Sequence, residues 1–354
     1  MRLAVHTGQA SLKKGGNMKA AVFKEKNLLV VEEVPDPKPA DNEVLLKVSY
    51  SAICGSDLHR YYYGMMLPGT IMGHEYSGVV AEVGKNVKGL KVGDHVTRCG
   101  GKVNPGRDQP NFPPRYSAKE RGLFPQRPGG YAEYMVTPAD LALKVPDSIS
   151  DLEASLIEPL TVAVHMVRMS NIRLGDRAVV LGAGPIGLFT QQCAGLAGAG
   201  KVFVSESNPH RLKFASELGA TQVFNPTQIN LVKEIVRLTE IGADVAYECA
   251  GGKPTLQQAL ELVKWGGKVM VVALAWEPVD CLPVEWVGRE VELKSCYAHL
   301  NHEWLISLAL MAEKKIVTKP MITRVIGLKE IQAAFQELLK PDTQQIQMVV
   351  QCNS

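Results

Sequence analysis

The sequence predicts a two-domain α/β protein in which a mostly-β half precedes a doubly wound parallel sheet. Three observations carry this expectation. A chain of 354 residues exceeds the usual size of a single domain. From Met18 to about Val145, short stretches of period-2 patterning are separated by Pro, Gly and Asp, as in an antiparallel β domain or barrel. From Ala178 onward, apolar strand-like runs alternate with helical patterns, the way parallel βα units are written.

Composition narrows the class. Apolar residues make up 46% and charged residues 21% of the chain, the balance of a soluble globular protein. The net charge of +3 is spread out with no long Lys/Arg run, so neither nucleic acid nor an anionic membrane is expected as a partner. The seven cysteines are odd in number and scattered, with no C-x-x-C pair. They do not form a disulfide framework and suit a reducing, cytoplasmic compartment. No apolar run reaches the roughly 18 residues that span a bilayer, and residues 1–17 lack the apolar centre of a secretory signal.

In chain order, strands are expected at Lys19 to Phe23, Leu28 to Glu33, Glu43 to Tyr50, Tyr76 to Val83, His95 to Arg98 and Tyr131 to Thr137. A Pro-, Gly- and charge-rich segment between Arg98 and Gly130 reads as a long loop, of the kind that covers a cleft or an interface. Asp151 to Ser170 reads as one helix capped by Asp151, with Leu156, Leu160, Val164 and Val167 at helical spacing. Ala178 to Leu181 is a short, wholly apolar strand suited to burial in a parallel sheet.

That strand runs into Gly182-Ala183-Gly184-Pro185-Ile186-Gly187 and then an Ala/Leu-rich helix, Leu188 to Ala199. The first glycine permits a tight turn, and the second lets a pyrophosphate approach. The helix N-terminus then offers N–H groups and a positive dipole to phosphate. The next strand, Lys201 to Ser205, ends at Glu206, about 20 residues past Gly187. An acid there hydrogen-bonds the ribose hydroxyls of NAD and repels a 2'-phosphate, so NAD is preferred to NADP. Arg211, with His210 and Lys213 nearby, is the counterweight. Further βα alternation runs from Ala215 to Ala273. Val291 to Tyr297 then reads as a strand and Trp304 to Lys314 as a helix.

The metal-ligating candidates lie in the β half. Cys54, His74 and Glu75 supply a thiol, an imidazole and a carboxylate. A catalytic zinc site takes three ligands of these types and keeps one position open. Gly73 and Gly78 bracket the His-Glu pair, Val79-Val80-Ala81 reads as a buried strand, and Gly84 closes the stretch.

The segment from Gly73 to Gly84, G-H-E-x-x-G-x-V-x-x-x-G, resembles the signature of the zinc-dependent medium-chain alcohol dehydrogenases. The resemblance extends from about Met18 to the C-terminus. It implies a GroES-like catalytic domain (residues 18–158 and 301–354) around a Rossmann nucleotide-binding domain (159–300), after a disordered extension over 1–17. It also implies one catalytic zinc and a homo-oligomer, tetramer ahead of dimer. Ile157-Glu158-Pro159-Leu160 resembles the segment whose Glu approaches the zinc in sorbitol and threonine dehydrogenases, so Glu158 joins the ligand candidates as an alternative to Glu75, and which of the two is bound at rest stays open. Many relatives hold a structural zinc on four closely spaced cysteines, whereas only Cys99 falls in that lobe here. No second zinc is therefore expected.

On this resemblance the expected reaction interconverts a secondary alcohol and its ketone. The substrate would be a polyol, diol, cyclitol or 3-hydroxy amino acid. Zinc would serve as Lewis acid, and the nicotinamide would exchange the hydride. Ser56 is placed to take the alcohol proton and His59 to pass it to solvent. Asp57 reads as an orienting acid rather than a ligand, and one or two of Tyr61, Tyr62 and Tyr63 as lining the cleft. Ala298-His299 stands where sorbitol dehydrogenases tend to carry Arg-Tyr for polyol hydroxyls, which makes a long open-chain polyol less secure. The competing readings are a zinc-free NADPH reductase of the same superfamily and a relative that binds nucleotide without catalysis. Intact Cys54, His74, Glu75 and Ser56 weigh against both.

Overall fold

The computed structural model describes residues 16–98 and 129–353. Most of the extension expected over 1–17, nearly all of the segment between Arg98 and Gly130, and Cys99 lie outside the described residues.

The first half contains β1 (Asn17–Glu25), β2 (Leu28–Pro35), β3 (Glu43–Ala52), α1 (Gly55–Tyr63), β4 (Thr70–Ile71), β5 (Glu75–Val83), β6 (His95–Arg98), β7 (Tyr134–Pro138) and β8 (Ala142–Lys144). α2 (Asp151–Ala154) and α3 (Ile157–Ser170) lead into β9 (Arg177–Leu181), α4 (Pro185–Leu196), β10 (Lys201–Ser205), α5 (Pro209–Glu217) and β11 (Gln222–Phe224). There follow α6 (Leu231–Thr239), β12 (Ala243–Glu248), α7 (Thr255–Leu262), β13 (Val263–Val271), α8 (Pro283–Val287) and β14 (Glu292–Ser295). The chain ends with α9 (Asn301–Ala312), β15 (Ile322–Gly327), α10 (Ile331–Leu338) and β16 (Gln347–Gln351).

Among the described residues the strands form three sheets. One is the antiparallel trio β2-β1-β4. The second runs β15-β16-β3-β5-β6-β8, with β7 also on β3. The third runs β11-β10-β9-β12-β13-β14 and is parallel throughout. That is the dinucleotide-binding order, whose strand order reverses between β9 and β12. β16 pairs with β3 through Val349 and Ala52, and Ile53 N–H donates to the Met348 carbonyl. The C-terminal strand thus braces the chain just before Cys54.

Two expectations are corrected. A strand-only β half overlooks α1: its three consecutive tyrosines favour strands, and Cys54 is an unusual cap. Nor is Asp151 to Ser170 one helix. Ser150, not Asp151, accepts the Glu153 N–H at 3.3 Å and caps α2. The helix then breaks at Ser155 and Leu156 before α3. The Asp151 carboxylate instead takes bonds from Ser49 (2.6 Å) and His95 Nδ1 (2.8 Å), tying α2 to the β half.

α3 buries Ile157, Leu160, Ala163, Val164, Met166 and Val167, because it is apolar nearly all round and packs against α4 and α9. Each full Leu, Ile or Val burial contributes about 1.5–3 kcal/mol. This helix is a rigid support, and Glu158 stands in its first turn. No described helix is long and apolar enough to cross a membrane.

Candidate active site

Cys54 follows β3 and is itself the N-cap of α1, where its Sγ accepts the Ser56 N–H at 3.4 Å and the Ser56 hydroxyl at 3.3 Å. A sulfur at a helix N-terminus is biased toward thiolate. His74 and Glu75 enter from the other side, at the start of β5. Gly73 precedes them with φ +96, and a Cβ there would meet the Tyr131 ring at 2.9 Å. Donor atoms of Cys54, His74 and Glu75 all lie within 4.8 Å of one another. Glu158 is outside that group.

The charges in this pocket act strongly on one another. Burial pushes the Cys54 thiol up, but the charge and hydrogen bond of His74 outweigh it and bring the thiol below its ordinary value. His74 is depressed by burial, yet the negative charges of Asp57 and Cys54 lift it well above the usual imidazole range. Burial, followed by the charges of Cys54 and Glu158, holds the Glu75 carboxyl well above its ordinary value. Mutually repelling anionic donors around one point are what a divalent cation relieves, and the S/N/O donor set fits zinc.

Asp57 orients the pocket. It is buried, with Oδ1 at 3.4 Å from His74 Nδ1 and Oδ2 accepting the Tyr131 hydroxyl at 2.8 Å. A carboxylate on Nδ1 leaves Nε2 as the ligating nitrogen. Gln347 of β16 donates to the Ile53 carbonyl at 2.9 Å and approaches Glu75 Oε2 at 3.5 Å.

The sequence-predicted relay is only partly assembled. Ser56 directs its hydroxyl at Cys54 Sγ. His59 lies one turn further along α1, its ring 5.7 Å from Trp276 and 6.4 Å from Tyr63. Burial depresses His59 below the usual imidazole value. Of the three tyrosines, Tyr61 is buried and donates to the Asn27 carbonyl, whereas Tyr63 stands by Trp276 at 6.0 Å.

Glu158 faces His299 Nε2 at 3.4 Å. Burial raises its carboxyl, but the His299 hydrogen bond and then the His74 charge bring it below the ordinary range.

The nucleotide crevice lies at the carboxyl ends of β9, β10 and β12. Gly182 has φ +93, and a Cβ there would meet Ala250 at 3.0 Å. A Cβ on Gly187 would strike the Gly182 carbonyl at 1.9 Å, whereas one on Gly184 would meet nothing within 4 Å. Gly184 is the N-cap of α4 without a side-chain cap, and Pro185 opens the helix. Ile186 is half-buried behind it and packs on the core. An open cradle over an uncapped helix start fits a pyrophosphate. Glu206 reaches across from β10, accepting the Ala183 N–H and the Asn208 N–H, each at 2.9 Å. Arg211 donates to the Gln345 carbonyl at 3.3 Å, which draws it toward the C-terminal segment.

Sequence reasoning missed Tyr131, Gln347, Trp276 and Glu248 as shapers of the site. Glu248 Oε1 accepts from Ala250 N–H, Gly251 N–H and the Thr255 hydroxyl, fixing the loop opposite Gly182. Its position at the end of an apolar strand was the available signal.

Comparison with known proteins agrees along the chain. Residues 40–147 match the family described as alcohol dehydrogenase GroES-like domain, and residues 185–313 match zinc-binding dehydrogenase. D-xylulose reductase of Saccharomyces cerevisiae is 33% identical over 90% of this chain and 93% of its own length. Sorbitol dehydrogenase of Bacillus subtilis is 33% identical over 95% and 98%. The crystal structure of 2R,3R-butanediol dehydrogenase from Bacillus subtilis superposes with a TM-score of 0.84 at 30% identity, covering 95% of this chain and 100% of that one.

Proposed function

Because this chain belongs to the zinc-dependent medium-chain alcohol dehydrogenase family, we propose that it interconverts a secondary alcohol and its ketone with NAD and one zinc ion. The convergence of Cys54, His74 and Glu75 within 4.8 Å carries this reading. The relatives' names favour a polyol or diol as substrate.

Cys54 as thiolate, neutral His74 through Nε2, and the Glu75 carboxylate are the groups that would hold zinc. When bound, the ion supplies Lewis acidity toward the substrate oxygen. Ser56, whose hydroxyl already sits at Cys54 Sγ, is the group to receive the alcohol proton, and His59 passes it outward. Trp276 and Tyr63 wall the cleft beside His59 and exclude water. Gly182, Gly184, Pro185, Ile186 and Gly187 seat the pyrophosphate, with Glu206 on the ribose. Glu206 and the engagement of Arg211 with Gln345 favour NAD over NADP.

The chain is further proposed to self-associate, as a tetramer or a dimer, through β14, the last strand of the parallel sheet among the described residues. Leu293, Val284, Val287 and Tyr297 are exposed there or nearby, and an open edge pairs readily.

The test follows nicotinamide absorbance over a panel of diols, polyols, cyclitols and 3-hydroxy amino acids, with native and chelated protein and with NAD and NADP. Turnover of one class with NAD that disappears on chelation is expected. Chelation-resistant turnover with NADPH on a quinone or activated alkene would instead identify a zinc-free reductase.

A further inference from the structure

His299 reads at first as a mere replacement for a polyol-binding side chain, and the structure gives it other work. It follows β14, at the carboxyl-end side of the sheet where ligands collect. The residue before it, Ala298, has φ +54, a left-handed conformation that costs a non-glycine residue of order 1 kcal/mol or more. That strained turn precedes an imidazole which is only 2% exposed. Both of its ring nitrogens are engaged. Trp304 Nε1, from α9, donates to Nδ1 at 2.9 Å, and Nε2 faces Glu158 Oε1 at 3.4 Å.

An indole N–H can only donate. Nδ1 is therefore the acceptor, and the proton of the neutral ring stands on Nε2, aimed at the Glu158 carboxylate. The Trp304 ring, itself 1% exposed, meets the imidazole edge-on with centroids 4.9 Å apart. Neither nitrogen is left for a substrate hydroxyl.

We propose that His299 is a positioning residue: with its proton fixed on Nε2 by Trp304, it holds Glu158 at the rim of the metal pocket and out of the ligand set. The inference rests on the zinc site assigned above. Cys54, His74 and Glu75 then form the resting ligands, and the remaining position stays available to substrate. Once released, Glu158 competes for that position, because α3, which carries it in its first turn, packs against β5, the strand that opens with Glu75.

The experiment loads wild type, His299→Leu, His299→Gln and Trp304→Phe with Co2+ in place of zinc and records the visible absorption. It also measures release of zinc to a chromophoric chelator, together with KM and kcat for the alcohol. In His299→Leu, freed Glu158 should alter the Co2+ bands and slow zinc release about tenfold, the scale on which groups behind metal ligands act. KM should rise about tenfold with kcat within about threefold, the pattern of a competitor for the substrate position. His299→Gln, which offers both an acceptor and a donor, should restore wild-type behaviour. Trp304→Phe, which keeps an aromatic ring and loses the N–H with the pyrrole part of the indole, should shift every readout the same way as His299→Leu. That variant decides the matter if His299→Leu does not fold.

Bands, release and KM unchanged in both His299→Leu and Trp304→Phe would overturn the clamp and leave the zinc reading intact. Wild-type protein that takes up neither Co2+ nor zinc would remove the zinc reading and the clamp with it.

Discussion

The metal pocket is made of side chains, and the nucleotide crevice is made of backbone. Cys54, His74 and Glu75 converge from the start of α1 and the start of β5, with Gln347 of β16 approaching Glu75 and Tyr131 bonded to Asp57 behind His74. In the crevice, the turn after β9 is built of glycines, and Gly184 leaves open the space where a side chain would stand. A side-chain site depends on which atoms are present, a backbone site on which atoms are absent. Substitutions should therefore fail in opposite ways in the two places.

The largest effect is expected at Cys54. Cys54→Ser keeps the size of the cap but removes the thiolate, so zinc content measured by elemental analysis should fall toward zero. Turnover should drop about a thousandfold, the loss of several kcal/mol of transition-state stabilisation. Melting temperature should change little, since the helix keeps a side-chain cap of a favoured type. Retention of both zinc and turnover would move the site away from Cys54.

The glycines supply the converse. In Gly187→Ala, the new Cβ meets a carbonyl oxygen at 1.9 Å that cannot move without the turn, so the fold itself should lose about 1–3 kcal/mol in denaturant titration. Gly184→Ala has open space and φ −73. Its stability should be unchanged while the Kd for NAD rises about tenfold as the methyl enters the pyrophosphate cradle. Equal loss of stability in both variants would erase the contrast.

This difference also explains what could be read from the residues. Cys54, His74 and Glu75 are legible because few residue types bind zinc and the glycines around them punctuate a short segment. The strand, glycine turn and acid at Glu206 are legible because they form one contiguous unit, whereas the order of the strands in the sheet comes only from the structure. Contacts across long separations are not legible in the same way. Nothing near Gln347 announces that it approaches Glu75, and Trp304 reads only as an apolar helix residue although its N–H sets the His299 ring. The break between α2 and α3 was hidden because Asp151 is as good a cap by type as Ser150, and only the positions of Ser49 and His95 decide where its carboxylate goes.

Glu206 lies between the two modes, a side chain bonded to the backbone of the glycine turn through Ala183. Glu206→Gln keeps an acceptor but removes the charge. Kd for NAD should rise about fivefold to tenfold with the loss of charge-assisted bonds. NADP should gain relative to NAD, because repulsion of the 2'-phosphate is relieved. Parallel weakening of both nucleotides would assign Glu206 to loop support alone.

The smallest effect is expected at His59, whose proposed part is the outward transfer of a proton beside Trp276 and Tyr63. Burial lowers its pKa from the ordinary 6.5, because a charged ring loses solvation there. To accept a proton the ring must be neutral, so His59 is competent above its folded pKa and loses that capacity as pH falls through it. The acid limb of kcat against pH should therefore fall below 6.5. His59→Ala should slow turnover several-fold, flatten that limb and leave KM and zinc content unchanged. Trp276 provides an internal control, since its ring packs 5.7 Å from His59 without titrating. Trp276→Leu should exchange one apolar wall for another, expose His59 to water and move the limb upward toward the ordinary imidazole value. A limb that stays in place in both variants would assign the titration to another group and remove His59 from the relay.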